Sequence, residues 1–327
     1  MVKEVGLVSG GLDSILALKI MLDQGIDIIA LTFITPFCSP NKKEFEQRVR
    51  NITKKFSIPI KVISLGEDYI EMIRNPAHGY GKHLNPCIDC RVFMLKKTKQ
   101  FMKENGASFV FTGEVMGQRP MSQRKAQLQL IEKEADLEGL ILRPLSAKLL
   151  EPTTPEKEGW VRRESLLSLE GRQRTEQIKL AEKFGIKNYS WPAGGCKLTD
   201  PQFAARLKEA FEHGEESMHD IKLLNYGRHF RLPSGTKVVV GRNEEENKVI
   251  PGLAQENNLL LEVIGFAGPT TLLLSPKDKK DPELAASICV RYSDFDKRGE
   301  ADVMVKGKGV VRAGPIDPWR LEEFRIS

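Results

Sequence analysis

The first two thirds of the chain alternate short apolar runs with longer segments in which apolar residues recur every three or four positions. Residues 41–56 and 91–105 are the clearest amphipathic segments, and they predict helices. The apolar runs are typical of strands buried in a parallel sheet, and they lie at 5–8, 26–33, 60–65 and 108–112. This alternation predicts an α/β fold with a doubly wound, mostly parallel sheet, whose ligands bind at the carboxyl ends of the strands.

The pattern changes after Glu216. From there, Gly, Pro and Asn turns separate short β-like runs at 237–240, 259–263 and 270–274. We therefore predict two domains, an α/β domain over residues 1–216 and a smaller α+β domain over residues 217–327.

The segment Ser9-Gly10-Gly11-Leu12-Asp13-Ser14 separates the first apolar run from the first predicted helix. Its glycines let backbone N–H groups converge on an anion, and the helix N-terminus adds partial positive charge. Asp13 would repel a phosphate unless a Mg²⁺ ion lies between them. No Gly-Lys-Ser/Thr follows, so this is not a Walker loop. The segment predicts a phosphate site with Mg²⁺ at Asp13.

A second polar segment, residues 112–123, follows the strand predicted at 108–112. Because parallel strands end at one edge of the sheet, we expect this segment to face the same ligand. Gly113 and Gln118 are its candidate contacts.

Three cysteines lie in Gly- or Pro-rich settings. Cys87 and Cys90 precede the helix predicted at 91–105, where a helix N-terminus favours thiolate, and Cys196 follows a double glycine. The spacing fits half a zinc site, three ligands of an iron–sulfur cluster with one open iron, or a persulfide pair. His78 and His83 are the nearby candidates for a fourth ligand, while Cys38 and Cys289 fit core positions.

Composition indicates a soluble, globular protein and permits a polyanionic partner. The 327 residues are 40% hydrophobic and 29% charged, with a formal net charge of +6. No apolar segment reaches the ~20 residues that a membrane span needs, and no signal peptide is evident. We expect a cytoplasmic protein without a membrane partner, in which cysteines serve metal or redox chemistry more than disulfides.

With these residues in view, the N-terminal domain resembles the catalytic domain of PP-loop tRNA thiouridine synthetases, and within them the 4-thiouridine synthase branch and the iron–sulfur-dependent subset. The matching motifs are residues 9–14, Thr112-Gly113-Glu114, Gly117-Gln118, Ser122-Gln123, Arg143-Pro144-Leu145, Gly171-Arg172-Gln173-Arg174 and Pro192-Ala193-Gly194-Gly195-Cys196. The resemblance implies that residues 9–14, Gly113 and Gln118 bind ATP and pyrophosphate. It also implies that Asp13 binds Mg²⁺ and that a [4Fe–4S] cluster is held by Cys87, Cys90 and Cys196.

The C-terminal domain resembles the NFACT-R RNA-binding module. The resemblance rests on Asn225-Tyr226-Gly227-Arg228-His229-Phe230-Arg231 and on Gly241-Arg242-Asn243 with Asn247. It implies contact with tRNA through a basic run that includes His229 and Lys237, and its proposed RNA ligands are Arg228, Arg231, Arg242 and Lys248.

Together these features predict a tRNA sulfurtransferase, with 4-thiouridine as the favoured product. ATP would adenylate a uridine oxygen, and sulfur from free sulfide or a cysteine desulfurase would replace it. The N-terminal ferredoxin-like and THUMP modules and the rhodanese domain known from 4-thiouridine synthases are not found in this sequence, so we expect no protein persulfide relay. The alternatives are an adenylating ligase or amidotransferase, a 2-thiouridine enzyme with persulfide cysteines, and a zinc-stapled RNA-binding adaptor. A homodimer is compatible with each.

Overall fold

The fold is described from a computed structural model that covers residues 2–37, 42–187, 189 and 196–326. It divides into two compact units, Met1–Thr199 and Asp200–Ser327. None of the described helices combines the length and apolar character needed to cross a membrane.

The first unit contains a five-stranded sheet, and all its strands run parallel in the order β3-β2-β1-β4-β5. The strands are β1 Lys3–Leu7, β2 Asp27–Ile34, β3 Ile60–Ser64, β4 Phe109–Thr112 and β5 Ile141–Leu142. The central strand β1 lies between β2 and β4, with Val5 opposite Ile29 and Val110. The predicted α/β class is therefore confirmed.

The helices of this unit are α1 Leu12–Leu22, α2 Lys42–Lys55, α3 Glu67–Arg74, α4 Cys87–Asn105, α5 Lys125–Glu134, α6 Thr154–Lys157 and α7 Thr175–Lys183. Short 3-10 helices lie at Ala147–Leu149, Arg163–Ser165 and Lys197–Thr199. Helix α4 begins four residues before the predicted position and ends at Gly106, whose φ of 63° suits a glycine C-cap. Its first turn therefore includes both Cys87 and Cys90.

The two faces of the sheet are covered by helices of different character. On one face α1 is buried on almost every side and packs into a core with Phe109 and Phe111. On the other face Val92 and Leu95 of α4 pack with Val110. Because α1 is enclosed, its N-terminus is held rigidly at the edge of the sheet where strand β1 ends.

The second unit is a seven-stranded antiparallel sheet in the order β11-β10-β8-β9-β7-β6-β12. Its strands are β6 Arg228–Arg231, β7 Lys237–Val240, β8 Leu259–Val263, β9 Thr271–Leu274, β10 Ala301–Val305, β11 Gly309–Ala313 and β12 Arg325–Ile326. Its helices are α8 Pro201–Glu212, α9 Met218–Leu223, α10 Glu244–Val249, α11 Asp281–Arg291 and α12 Pro318–Phe324, with a 3-10 helix at Ile250–Leu253.

The division between the units lies after Thr199, whereas the sequence placed the domain boundary at 216. Helix α8 belongs with the second unit because its Glu209 pairs with Arg231 of β6, 2.6 Å between Oε1 and Nε. Glu215, just after α8, pairs with Lys237 of β7 at 2.5 Å. The spacing of apolar residues in the sequence predicts that α8 is a helix, but it does not predict these ion pairs.

Glu4 is an unusual residue for the centre of a parallel sheet. It lies on β1 opposite Ile28 and Phe109, it is fully buried, and neither carboxyl oxygen has a hydrogen-bond partner among the described residues. Burial raises the pKa of Glu4 well above its ordinary value. Burial therefore favours the protonated form of this carboxyl group in the folded protein.

We expect Glu4→Gln to increase the free energy of unfolding at pH 7 by on the order of 1–3 kcal/mol. Above about pH 4.3 the unfolded wild type ionises Glu4 while the folded protein keeps the proton, so wild-type stability falls as pH rises. Urea titrations at several pH values should show that the difference in free energy of unfolding between Glu4→Gln and wild type decreases to zero near pH 3. The exposed control Glu67→Gln should change stability by less than about 0.5 kcal/mol. A gain that does not depend on pH would contradict the assignment.

Candidate active site

The glycine loop between β1 and α1 has the shape of an anion site. Gly10 has a φ of +74°, which favours glycine, and the hydroxyl of Ser14 donates to the carbonyl oxygen of Gly11 at 2.8 Å. The backbone N–H of Ser9 donates to Ser14 Oγ at 3.3 Å. Among the described residues, no side chain caps the N-terminus of α1. The loop therefore presents a helix N-terminus to a ligand at the carboxyl end of the sheet.

Asp13 lies in the first turn of α1 and is 9% exposed. Its Oδ2 accepts hydrogen bonds from Arg174 Nη2 at 2.9 Å and from Gln118 Nε2 at 3.2 Å. Its Oδ1 is buried and has no hydrogen-bond partner within the described parts of the chain. A buried carboxylate oxygen in this condition fits a ligand position for Mg²⁺. Gln118, predicted to contact ATP, holds Asp13 in this structure.

A contact between two loops brings Arg174 and Gln118 to Asp13. Met116 forms an isolated parallel bridge with Glu170, and the N–H of Gly171 donates to the carbonyl oxygen of Met116 at 2.8 Å. Two motifs that are far apart in the sequence, residues 117–118 and 171–174, thus form one wall of the site.

Gly113 has a steric role. A Cβ at this position would lie 2.5 Å from the backbone nitrogen of Ser14 and 2.6 Å from the carbonyl carbon of Asp13. The end of β4 therefore packs directly on the backbone of the glycine loop, which only a glycine permits.

The two neighbouring cysteines lie in the first turn of α4, and both are half-buried. Asn85 Nδ2 donates to Cys87 Sγ at 3.0 Å, and the hydroxyl of Tyr69 lies 3.0 Å from Cys90 Sγ. Asp89 accepts a hydrogen bond from the backbone N–H of Ala77 at 3.0 Å. This bond holds the preceding loop against the thiol-bearing turn.

His78 does not serve as a fourth ligand here. Its Nδ1 lies 3.1 Å from Asp89 Oδ1 and its Nε2 lies 3.0 Å from Glu134 Oε1, so both ring nitrogens face carboxylates. The hydrogen bond with Asp89 raises the pKa of His78, although burial opposes this change. His83, with a φ of +54°, is exposed.

Cys196 is exposed. The segment 192–195 that precedes it and Cys38 lie outside the described residues. The carbonyl oxygen of Leu198 accepts a hydrogen bond from the N–H of Leu84 at 3.2 Å, so the chain after Cys196 runs beside the loop before Cys87. Within the described residues, no group of three or more Cys, His, Asp or Glu side chains is arranged to hold a metal ion. Cys87 and Cys90 fit two ligand positions, and this structure does not assemble the third.

A buried ion network lies behind the thiols, and the sequence did not identify it. Glu114 Oε2 accepts from Arg143 Nε at 3.1 Å, and Glu114 Oε1 lies 3.4 Å from Arg91 Nε. Arg143 also pairs with Glu132. Burial opposes the ionisation of Glu114, but Arg91 and Arg143 overcome this effect and lower its pKa. Burial likewise opposes the charge of Arg91, while Glu114, Cys90 and Cys87 raise its pKa.

Burial and the neighbouring cation of Arg91 lower the pKa of Arg119, while the charges of Cys87, Glu114 and Asp13 act in the opposite direction.

In the second unit, most of the predicted basic run is engaged internally. His229 and Lys237 are buried, and burial lowers the pKa of His229 well below its ordinary value. Neither side chain therefore faces RNA, contrary to the prediction from the sequence. Arg231 is paired with Glu209 and Glu215. The remaining candidates carry contacts nearer the surface: Arg228 lies over the Tyr292 ring at 4.6 Å, Arg242 pairs with Glu246, and Lys248 pairs with Glu244 at 2.5 Å.

Comparison with known proteins agrees with both resemblances. Residues 2–148 match the family model described as Thiamine biosynthesis protein (ThiI), and residues 227–324 match the model described as NFACT protein RNA binding domain. The first segment is thus similar to ThiI proteins, and the second is similar to the NFACT RNA-binding domain.

Among curated relatives, a probable tRNA sulfurtransferase of Thermococcus kodakarensis is 27% identical over 146 residues, which are 44% of this chain and 36% of the relative. A tRNA-specific 2-thiouridylase MnmA of Clostridium perfringens is 26% identical over 144 residues, which are 39% of this chain and 38% of the relative. The chain therefore matches little more than a third of the length of these relatives.

Solved structures with similar folds include a 4-thiouridine synthetase–RNA complex with bound ATP, at 22% identity and a TM-score of 0.41 over 65% of this chain and 52% of that one. They also include the U34-tRNA thiolase NcsA from Methanococcus maripaludis with its [4Fe-4S] cluster, at 18% identity and a TM-score of 0.35 over 68% and 73%.

We expect Glu114→Gln to lower the free energy of unfolding at pH 7 by about 3–5 kcal/mol, because Arg91 and Arg143 lose their shared buried counter-charge. A carboxylate with a lowered pKa stabilises the fold above the ordinary pKa of about 4.3, and this contribution is lost as pH falls through the folded value. Denaturant titration should therefore show wild type and variant converging in acid.

The matched control is Glu151→Gln, which breaks the exposed pair between Glu151 and Lys125 and should cost less than about 1 kcal/mol. Equal losses in the two variants, or equal acid sensitivity of wild type and Glu114→Gln, would show that the network does not stabilise the unit.

Proposed function

We propose that this chain is an ATP-dependent tRNA sulfurtransferase, which adenylates a uridine carbonyl oxygen and replaces that oxygen with sulfur, releasing AMP and pyrophosphate. The observation that carries the proposal is the set of contacts that joins the glycine loop to the thiol-bearing helix. Gly113 packs on the backbone of Ser14, and Glu114 pairs with Arg91 of α4. A site for activating oxygen and a site for holding sulfur thus adjoin the end of β4. We favour 4-thiouridine as the product.

The glycine loop would bind the nucleotide. A uracil oxygen is a poor leaving group until it is adenylated, and attack on the α-phosphorus releases pyrophosphate with a concentrated negative charge. The N-terminus of α1 and the hydroxyls of Ser9 and Ser14 would stabilise that charge, with Gly113 keeping the loop close to β4. Asp13 would hold Mg²⁺ through its buried Oδ1.

On the sulfur side, Cys87, Cys90 and Cys196 would hold a [4Fe–4S] cluster, with zinc as the alternative metal. Such a cluster, when bound by three thiolates, supplies an open iron for sulfide. The hydrogen bonds from Asn85 to Cys87 and between Tyr69 and Cys90 would orient the thiolates. The donor would be free sulfide or a cysteine desulfurase, and the reaction would take place in the cytoplasm.

A persulfide mechanism is the second candidate, with either 4-thiouridine or 2-thiouridine as the product. It is favoured by one observation, that Cys87 and Cys90 lie together in one turn while the described residues do not assemble a three-thiol group. A cysteine desulfurase would supply the outer sulfur of a persulfide on one cysteine, and this sulfur would attack the adenylated carbon and displace AMP. The other cysteine would then release the thiouridine by forming a Cys87–Cys90 disulfide, which a thiol reductant would reduce, so no metal is needed.

Cysteine variants of anaerobically purified protein separate the two mechanisms. We expect Cys87→Ser, Cys90→Ser and Cys196→Ser each to lose bound iron and to form less than about 1% of the wild-type thiouridine, because each removes a cluster ligand. ATP-dependent pyrophosphate release with tRNA should persist. Mass spectrometry of tRNA nucleosides identifies the product as a 4-thio or a 2-thio base.

The control is Cys289→Ser in the second unit, where the thiol is buried and burial raises its pKa to about 11. It should retain iron and activity. Colourless, iron-free and active wild type would refute the cluster and support the persulfide mechanism. Absence of any thionucleoside, with pyrophosphate still released, would point to an adenylating ligase.

We also propose that the second unit binds tRNA, and that Lys248, with 72% of its side chain exposed, contacts a phosphate. Lys248→Gln should weaken tRNA binding and reduce the slope of log K against log salt by about 1. The control Lys208→Gln alters a 70% exposed lysine that also has an i,i+4 glutamate partner. Equal effects of the two variants would indicate diffuse attraction without a site at Lys248. We do not expect Arg231 to contact RNA, because two glutamates already neutralise it.

A further inference from the structure

We propose that Arg174 is the phosphate-binding cation of the glycine loop, and that it exchanges Asp13 for the phosphates of the nucleotide when a divalent ion binds Asp13. The proposal rests on the use of ATP proposed above, but it requires neither tRNA nor sulfur. In this proposal Arg174 has the role that a lysine has in a Walker loop. The glycine loop of this chain lacks that lysine.

The guanidinium group of Arg174 lies at the mouth of the loop. Its Nη2 is 2.9 Å from Asp13 Oδ2, and Asp13 is the second residue of α1, beside the helix N-terminus that would receive a phosphate. The Arg174 side chain is 26% exposed, so a ligand can reach it. A guanidinium group has five N–H donors in a fork that suits phosphate, and the bond to Asp13 occupies one of them.

The backbone around Arg174 is fixed, so only the side chain needs to move. Its carbonyl oxygen accepts the N–H of Ile178 at 2.9 Å, which makes it the first residue before α7. The bond from Gly171 to Met116 anchors the other end of the segment. A rotation of the side chain is therefore sufficient to transfer the guanidinium group from Asp13 to a ligand.

Charge balance gives the direction of the exchange. Without nucleotide, Asp13 and Arg174 neutralise each other, while Asp13 Oδ1 lacks a hydrogen-bond partner in the described structure. A divalent ion at Oδ1 adds a second positive charge beside Arg174 and weakens the pair. The phosphates of ATP then offer Arg174 a stronger anion, while Gln118 keeps its hydrogen bond to Oδ2.

The exchange predicts opposite effects on two ligands. In isothermal titration of the full chain without RNA, Arg174→Gln should bind Mg·ATP at least 10-fold more weakly, because charge-assisted hydrogen bonds to the phosphates are lost. The same variant should bind Mn²⁺ alone about 3- to 10-fold more tightly, because the competing cation has been removed from Asp13. The control Arg162→Gln alters an exposed arginine outside the site and should change both affinities less than 2-fold.

If Arg174 has a purely structural role, Arg174→Gln will bind both Mg·ATP and Mn²⁺ more weakly and will have a lower Tm. That outcome overturns the proposal, and so does an unchanged affinity for Mg·ATP. If Arg174→Gln does not fold, Arg174→Lys replaces it. A single ammonium group lacks the fork, so Mg·ATP affinity should still fall at least 3-fold, and an unchanged value overturns the proposal. If the two affinities shift in opposite directions but the wild-type protein forms no thiouridine, the sulfurtransferase function is refuted and the exchange of Arg174 between Asp13 and phosphate is still supported.

Discussion

The first unit depends on one buried carboxylate, Glu114, placed at the end of β4 between two arginines. Arg143 follows β5 and Arg91 belongs to α4, so this carboxylate joins two adjacent strand ends and the thiol-bearing helix. Such a network adds little net stability relative to an apolar core, but removal of one partner leaves buried charges uncompensated. The geometry of the site is therefore coupled to the integrity of the network. A displacement of Glu114 would shift Arg91 and, with it, the charge beside Cys87.

Asp13 shows the same principle near solvent. One carboxylate oxygen is held by Arg174 and Gln118, and the other is buried without a hydrogen-bond partner among the described residues. A fully satisfied Asp13 would have only a bracing role, and a fully exposed one would bind a cation weakly. The half-satisfied state keeps the carboxylate oriented and still able to accept a ligand.

The sequence predicted the parallel sheet and the glycine loop because both depend on local signals. Apolar runs identify buried strands, and paired glycines before a helix identify an anion site. It included Arg174 in a motif of the resemblance but did not predict its pairing with Asp13, because the two residues are 161 positions apart and no periodicity links them. Likewise, Glu4 gave no signal, because one acid on a short strand looks like an exposed position. The grouping of α8 with the second unit likewise depends on ion pairs between residues distant in sequence, such as Glu209 with Arg231.

The residues predicted to bind RNA show why charge in a sequence is a weak guide to a surface. Residues of the Gly-Arg-Asn motif build the turn itself: Asn243 accepts the N–H of Glu246 and so caps α10, and the Glu246 carboxylate accepts the N–H groups of Gly227 and Arg242. Asn247 joins this turn to Thr270. Because the side chains of the motif form hydrogen bonds that stabilise the turn, the motif indicates the fold of the unit and not a surface for RNA. Affinity for a polyanion must come from cations outside these bonds, whose side chains reach solvent without losing a structural partner.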